Sequence, residues 1–243
     1  MRSALLWIVL VVGPAVSWGQ SRRVAPPQTP LPSVKDAKSL RAAFVGLSDG
    51  DAAGREIARQ ALMGMDRGEL PNLLKLCDEL KPLEPGVVAT LRDVVIHVHL
   101  AGTFPRTRDG FLGISMPALT GSAMEVTIES RLPGFAAFRH LQDGDAILDI
   151  EERPLTQPAD REQFQDAIKA LGPGRTIHLK VLRRGQVLRV PVQLAARPGD
   201  DGDPANDAAV QQTIYRRAQE AVKFWEETFL PVITDKRVER AGT

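Results

Sequence analysis

The hydrophobic residues of this chain change their spacing along its length, and the changes divide it into segments. Between Val34 and Gly102 the apolar residues recur three or four positions apart, as on one face of an amphipathic helix. Prolines interrupt this pattern at Pro71, Pro82 and Pro85, and proline disfavours the interior of a helix. Residues 35–103 are therefore predicted to form a domain of short α-helices.

A different pattern occupies residues 104–197, where apolar and polar residues alternate. The alternation predicts strands at 146–150, 177–182 and 187–194, while residues 159–171 have helical spacing and end before a Gly-Pro-Gly stop. Short strands with one interposed amphipathic helix favour a small, strongly bent antiparallel sheet capped by that helix. The predicted fold class is therefore α+β.

The last segment is predicted to be one long helix. Residues 198–206 form a linker rich in proline, glycine and aspartate, and residues 207–243 form the C-terminal helix and tail, with Pro231 expected to end the helix. One face carries the apolar residues Val210, Ile214, Ala221, Val222, Trp225 and Phe229. We expect this face to pack on the N-terminal helices, with a homodimer formed through the helix as the alternative.

The first residues have the features of an export signal. Arg2 precedes an apolar run of about nine residues, Ala4 to Val12, which fits a signal peptide and is well short of the ~20 residues that span a bilayer. We predict a signal peptide at 1–19 and a proline-rich tether at 20–34, with a buried N-terminal helix as the alternative. The mature protein is then secreted or periplasmic, with no integral membrane segment after signal removal.

Composition and charge exclude several classes of protein. The 243 residues are 43% hydrophobic and 25% charged, and 31 Lys and Arg residues face 30 Asp and Glu residues, which argues against a disordered polyelectrolyte and against a basic nucleic-acid binder. A single cysteine excludes a disulfide framework and a thiolate zinc cluster. This residue, Cys77, lies among leucines at helical spacing and is expected to be a buried structural thiol.

We predict no metal site and no cofactor. His97 and His99 are the only closely spaced histidines. On a helix, residues two positions apart point to different faces and could not share a metal ion, whereas on a strand they could.

The order of motifs in residues 104–197 resembles a known domain. It runs "GFLGI", "VTIESRLPGFAAFRHLQDGDAILDIEERPL", a helix and then "TIHLKVLRRGQVLRVPVQL". This order resembles a PDZ domain of the bacterial kind carried by HtrA-like proteases. The stretch "LSDGDAAGREIARQALMGMDRGELPNLLKLCDEL" in residues 35–103 is similar to HEAT-like helical pairs.

The PDZ resemblance implies a binding loop for the terminal carboxylate of a peptide. A glycine at position 113 lets the backbone turn tightly, so that neighbouring N–H groups can point into one hollow. The resemblance assigns this carboxylate-binding loop to Phe111, Leu112, Gly113 and Ile114.

The resemblance also implies a groove in which the peptide adds as an extra strand beside residues 114–116. Its expected members besides the loop are Ser115, Met116, Arg161, Gln165, Ile168 and Lys169. Ile168 would line the apolar pocket for the terminal side chain. Arg161 stands where many PDZ domains read the third residue from the peptide end, and a guanidinium there would favour an acidic or hydroxylated side chain. A solvated arginine with no such role is the alternative.

No catalytic residue is predicted. An HtrA-type serine protease needs a separate double-barrel domain with a "GNSGG"-like turn, a serine-lysine protease needs a lysine four residues after a serine, and an H-E-x-x-H metalloprotease needs that motif. None of these patterns occurs in the sequence. We therefore expect a non-catalytic protein that binds protein C-termini or extended peptides, or alternatively a scaffold that acts through its helical surface with an internally packed groove. A further alternative is an accessory subunit of an envelope protease.

Overall fold

The structure, a computed structural model, describes residues 34–103, 108–116, 126–155, 160–199 and 207–234. The predicted signal peptide and nearly all of the predicted tether lie outside these residues. Within the described ranges, no helix is both long enough and apolar enough to cross a membrane.

The N-terminal part is entirely helical in its described residues. A short 3₁₀ turn at Arg67–Glu69 precedes the third of its helices, which are α1 (Ala37–Gly46), α2 (Ala52–Met63), α3 (Leu70–Leu80) and α4 (Pro85–Leu100). The side chains of Asp36 and Asp51 accept hydrogen bonds from backbone N–H groups in the first turns of α1 and α2, which satisfies donors that have no partner inside the helix. The prediction of an all-α N-terminal domain is confirmed, whereas its HEAT-like character and exact boundaries stay predictions.

The helices enclose an apolar core that contains the cysteine. Leu62, Leu73 and Leu91 are fully buried, and Cys77 lies beside them with no exposed surface. Burial raises the pKa of the Cys77 thiol to about 12, so it stays neutral and behaves as a small hydrophobic group.

The alternating segment forms small antiparallel sheets. Its strands are β1 (Gly110–Phe111), β2 (Ile114–Ser115), β3 (Val126–Thr127), β4 (Ser130–Arg131), β5 (Ala146–Ile150), β6 (Arg153–Pro154), β7 (Thr176–Arg183), β8 (Gln186–Gln193) and β9 (Ala195–Ala196). The largest sheet has the order β3-β5-β7-β8, with β6 paired to β5, while β1 pairs with β9 and β2 pairs with β4. The α+β fold class is thereby confirmed.

Two helices accompany these strands. The short α5 (Ala136–His140) lies between β4 and β5, and α6 (Asp160–Leu171) lies between β6 and β7. Phe164 and Ile168 of α6 are buried in the same apolar cluster as Ile147 and Val181 of the sheet. The amphipathic helix therefore caps the sheet, as the sequence pattern predicts.

The C-terminal helix continues past Pro231, so the prediction that this proline ends it is wrong. Helix α7 (Asp207–Phe224) passes into a π-helical segment (Trp225–Phe229) and then into α8 (Leu230–Thr234). Pro231 lies in the first turn of α8, where a residue without an N–H group costs least. The switch to i→i−5 hydrogen bonding, seen between Leu230 N and Trp225 O, creates this new helix start.

The apolar stripe of the C-terminal helix packs on the N-terminal helices. Ala221, Trp225 and Phe229 are buried in the same cluster as the core residues of α1–α4. The expectation that the stripe covers the N-terminal helices therefore agrees with the structure for its C-terminal half, whereas Val210 and Ile214 lie outside that cluster and dimerisation stays a prediction.

The helical part also contacts the β-rich part through α5. The ring of Phe138 stacks on that of His97 in α4, with centroids 5.4 Å apart and planes inclined by 14°. A guanidinium nitrogen of Arg59 in α2 lies 3.4 Å from the backbone oxygen of Arg139. The two parts therefore share a contact at which aromatic rings and cations are buried together.

Candidate functional site

The predicted carboxylate loop turns at Gly113. This residue has φ +79°, a conformation that residues with a Cβ rarely adopt. A Cβ at this position would also overlap the side chain of Phe135. The Phe111 ring meets that of Phe135 edge to face with centroids 5.0 Å apart, so an aromatic pair packs beneath the turn at Gly113 and supports it.

The loop is held against the C-terminal half of α6. On its N-terminal side, β1 pairs with β9 through Gly110 with Ala196 and Phe111 with Ala195. A Cβ on Gly110 would overlap the backbone oxygen of Ile168, which shows how closely β1 approaches the helix. Glycine at position 110 is therefore required by backbone contact rather than by a turn.

Strand β2 is paired along one edge and turns its other edge toward α6. Gly113 O accepts from Leu132 N at 2.8 Å and Ser115 O accepts from Glu129 N at 2.9 Å, both on the β4 side. Because successive residues of a strand direct their backbone groups to opposite edges, the N–H and C=O of Ile114 point to the α6 side. This is the arrangement that a peptide needs to add as a further strand.

A cavity of about 210 Å³ lies between β2 and α6. Most of the predicted site residues line it together: Phe111, Leu112, Gly113, Ile114, Met116, Gln165, Ile168 and Lys169. Ser115 does not line it, since its hydroxyl lies 3.2 Å from Glu129 Oε2 on the other side of the strand. The side chain of Arg161 lies outside the described residues.

The cavity also has lining residues that the sequence did not predict. Phe164 lies four residues before Ile168 and is buried, a position that helical periodicity could have indicated. Arg197 follows β9, a two-residue strand with no signal in the sequence, and Val210 and Gln211 belong to α7. The contribution of α7 depends on how the chain returns after the linker, which no local pattern encodes.

Two cationic side chains line the groove. Lys169 and Arg197 both line the cavity, and none of the described lining residues is acidic. Arg197 is buried, with 5% of its surface exposed, and it already has an interaction within the chain, as a buried guanidinium requires. A groove of this kind favours a negatively charged group such as a terminal carboxylate.

Metal binding has no geometric support in the described part of the chain. No group of three or more His, Cys, Asp or Glu residues there is placed to hold an ion. His97 and His99 both lie on α4, and two positions on a helix place them on different faces. His97 contacts the β-rich part rather than the groove.

The carboxylates after α5 are used as structural groups. Asp145 is buried and accepts from Arg183 Nε at 2.8 Å, from Arg183 Nη2 at 2.7 Å and from the Gln142 backbone N–H at 2.9 Å. Asp143 accepts from Arg131 Nε at 2.7 Å. These bonds fix the turn before β5 and leave the pair unsuited to acid-base chemistry.

Comparison with known proteins identifies the β-rich part. The family model described as "PDZ domain" matches residues 110–194. A protein of Pseudomonas fulva (strain 12-X) named "Probable periplasmic serine endoprotease DegP-like" is 36% identical over 98 residues, which are 40% of this chain and 19% of the relative. The chain thus spans about a fifth of that relative's length.

Solved structures with similar segments include two proteases. The HtrA-type protease AlgW with tripeptide is 27% identical, with a TM-score of 0.33 over 39% of this chain and 34% of that chain. The serine endoprotease from Yersinia pestis is 23% identical, with a TM-score of 0.31 over 37% of this chain and 29% of that chain. Residues 110–194 of this chain are a PDZ domain, similar to the PDZ domains of HtrA/DegP-type proteases.

Proposed function

We propose that this chain is a non-catalytic, secreted or periplasmic protein that binds the C-terminal peptides of partner proteins by strand addition. One observation carries the proposal. The α6-facing edge of β2 borders a cavity that reaches the turn at Gly113, so the edge and the loop lie in one site.

The chemistry of the site suits a short extended chain end. The backbone groups of Ile114 provide hydrogen bonds that are independent of the peptide's sequence. The loop at Gly113 would receive the carboxylate, near the cations Lys169 and Arg197, and the apolar surface of Leu112 and Ile168 would receive the terminal side chain. Specificity would then come from the side chains that alternate toward the groove.

The free energy that this site can contribute indicates reversible binding. Burial of one terminal side chain contributes roughly 1.5–3 kcal/mol, and each hydrogen bond to a charged group contributes roughly 1.5–3 kcal/mol. The cost of ordering a flexible tail opposes both. We expect dissociation constants on the order of micromolar.

The test compares free-acid and amidated forms of one fluorescent, hydrophobic-ended peptide by fluorescence polarisation. The free acid should bind and the amide should bind at least ten-fold more weakly. A Gly113→Trp variant should lose the free acid, while Gly144→Trp, at another positive-φ glycine with open space around it, should keep it. Equal binding of the two peptide forms would overturn the proposal.

The partner can be sought with the same variants. Pull-down from an envelope extract should recover the partner with the original protein and with Gly144→Trp, but not with Gly113→Trp. A non-catalytic role further requires that the purified protein leave unfolded protein substrates intact. Cleavage that co-purifies with a captured partner would instead favour the accessory subunit of an envelope protease.

One observation favours a second candidate, a scaffold whose groove is packed by its own chain. Residues Val210 and Gln211 of α7 already line the groove. If the C-terminal tail also entered it, deletion of residues 241–243 would raise the affinity for a hydrophobic-ended peptide strongly. Unchanged affinity would leave the groove to external peptides.

The proposed location outside the cytoplasm has two supports. The N-terminal sequence has the order of charge, apolar run and small residues typical of a signal peptide. The curated relative is named as a periplasmic protein. Fractionation of cells that produce the chain should recover it from the periplasm or medium, shortened by about 19 residues if residues 1–19 are removed as a signal.

A further inference from the structure

Helix α7 reaches the groove at the end that holds the carboxylate loop. The cavity wall at this end includes Val210 and Gln211. Val210 is buried, with 5% of its surface exposed, and one of its methyl carbons lies 3.4 Å from where a Cβ on Gly199 would be. The first turns of α7 are therefore packed on the chain that leaves β9.

Two contacts locate this end of the groove. Residue Arg197 donates its backbone N–H to Asp109 O at 2.9 Å, next to β1. Strand β1 in turn touches the C-terminal half of α6 through Gly110 and Ile168. The chain at 197–199, and with it Val210, thus lies on the loop side of the groove rather than at the far end of β2.

The carboxylate loop requires the last residue of the peptide to lie beside Gly113, at the start of β2, so a peptide that adds as a strand here runs antiparallel to β2. The surface nearest that last residue then includes Val210 and Gln211. We propose that these two residues of α7 form the end wall of the peptide site and determine which terminal side chain it accepts. This inference rests on the proposed peptide binding.

The wall suits that role. Valine is branched at Cβ and has few rotamers, so a buried valine presents a fixed apolar surface. The cavity of about 210 Å³ that remains with α7 in place limits the size of the terminal side chain. Removing methyl groups from the wall should admit larger residues, and adding a ring should exclude them.

The wall is held in place from outside the PDZ domain. Beyond the groove, Ala221, Trp225 and Phe229 of the same continuous helix are buried in the core of the N-terminal helices. The helical part therefore fixes a surface of the ligand site. This arrangement gives the N-terminal domain a role in recognition that contact with the peptide would not require.

The experiment measures selectivity instead of affinity alone. Free-acid peptides that differ only in their last residue, Ala, Val, Leu or Phe, are titrated by fluorescence polarisation into the protein and into Val210→Ala, Val210→Phe and Gln211→Ala. The control is Tyr215→Ala, on the same helix with 67% of the tyrosine surface exposed. Thermal unfolding followed by circular dichroism verifies that each variant is folded.

We expect Val210→Ala to shift the ratio of affinities for the Phe-ended and Ala-ended peptides about ten-fold toward Phe. Val210→Phe should shift it in the opposite direction, and Tyr215→Ala should leave it unchanged. If Val210→Ala does not fold, Val210→Phe and Gln211→Ala test the end wall instead. A change in the same ratio of affinities supports the wall, and an unchanged ratio contradicts it.

The end wall and peptide binding can be disproved separately. If the unaltered protein binds the peptides and every folded variant keeps its selectivity, the end wall is overturned while peptide binding stands. If the unaltered protein binds none of the peptides, the proposed function falls, and this inference falls with it.

Discussion

The imidazole Nδ1 of His97 accepts a hydrogen bond of 3.0 Å from the backbone N–H of Gly134. His97 belongs to α4 and Gly134 to the PDZ domain, and the backbone of Met63 at the end of α2 is a second hydrogen-bond partner of the ring. One buried imidazole thus joins two N-terminal helices to the PDZ domain.

The first prediction concerns the pH dependence of this contact. Burial, followed by the nearby charges of Arg139 and Arg59, lowers the pKa of His97 from its usual 6.5 to about 3. In the unfolded chain, His97 takes up a proton below about pH 6.5. Its contribution to the free energy of unfolding is therefore fully present above that pH and is lost as the pH falls toward the pKa of the folded state. We expect a loss of about 2 kcal/mol from this residue between pH 7 and pH 4.5 in urea denaturation.

The variant His97→Asn separates this titration from the hydrogen bond. Asparagine can accept a hydrogen bond from Gly134 but does not titrate. The free energy of unfolding of this variant should therefore vary less with pH over the same interval. His140, whose pKa is lowered to about 4 mainly by burial, supplies a remaining slope. An unchanged slope in His97→Asn would contradict the prediction.

The second prediction distinguishes strain from overlap at Gly113. Both Gly113 and Gly144 have positive φ, +79° and +85°, but only Gly113 faces an atom that a Cβ would meet. Gly144→Ala should cost on the order of 1 kcal/mol from backbone conformation, and Gly113→Ala should cost about 1–3 kcal/mol more because Phe135 must move. Equal losses in the free energy of unfolding, measured by chemical denaturation, would show that Phe135 can move aside without a measurable cost.

The third prediction tests how firmly the C-terminal helix is bound to the N-terminal core. Trp225 is 3% exposed and stacks on Phe229 with centroids 5.7 Å apart. Trp225→Ala should lower the free energy of unfolding by about 3–5 kcal/mol. Tyr215→Ala, on the exposed side of the same helix, should change it by no more than about 0.5 kcal/mol. A small loss at Trp225 would show that the helix is only loosely attached.

The fourth prediction addresses the third residue from the peptide end. We expect the protein to prefer Asp, Glu or Ser over Leu at that position, because the guanidinium of Arg161 offers several donors to oxygen acceptors. Arg161→Ala should reduce this preference without loss of the binding that depends on the free carboxylate. Peptide arrays followed by titration of the best sequences measure it, and indifference among the four residues would end the hypothesis.

The parts of the fold that the sequence predicts are those with a repeated local pattern. Strand β5 has the predicted bounds, Ala146–Ile150, and α6 begins one residue from its predicted start. Helical spacing also identifies Gln165 and Ile168 as members of one helix face. Such features depend on neighbours in the chain and leave a periodic trace.

Features that depend on distant contacts leave no such trace. The approach of Val210 to the groove results from the path of the chain after β9, and the pairing of β1 with β9 involves only two residues in each strand. The continuation through Pro231 depends on a π-helical segment whose residues look ordinary in sequence. In each of these cases several local conformations are compatible with the sequence, and tertiary packing determines which one forms.

The path of α7 has a consequence for how this protein could be divided or recombined. A PDZ fragment ending at residue 194 would contain the whole match to the family, yet it would lack Arg197, Val210 and Gln211, which line the groove. Grafting that fragment onto another protein would transfer the strand edge but leave one side of its binding pocket behind. The proposed peptide-binding unit is therefore longer than the evolutionary module that it contains.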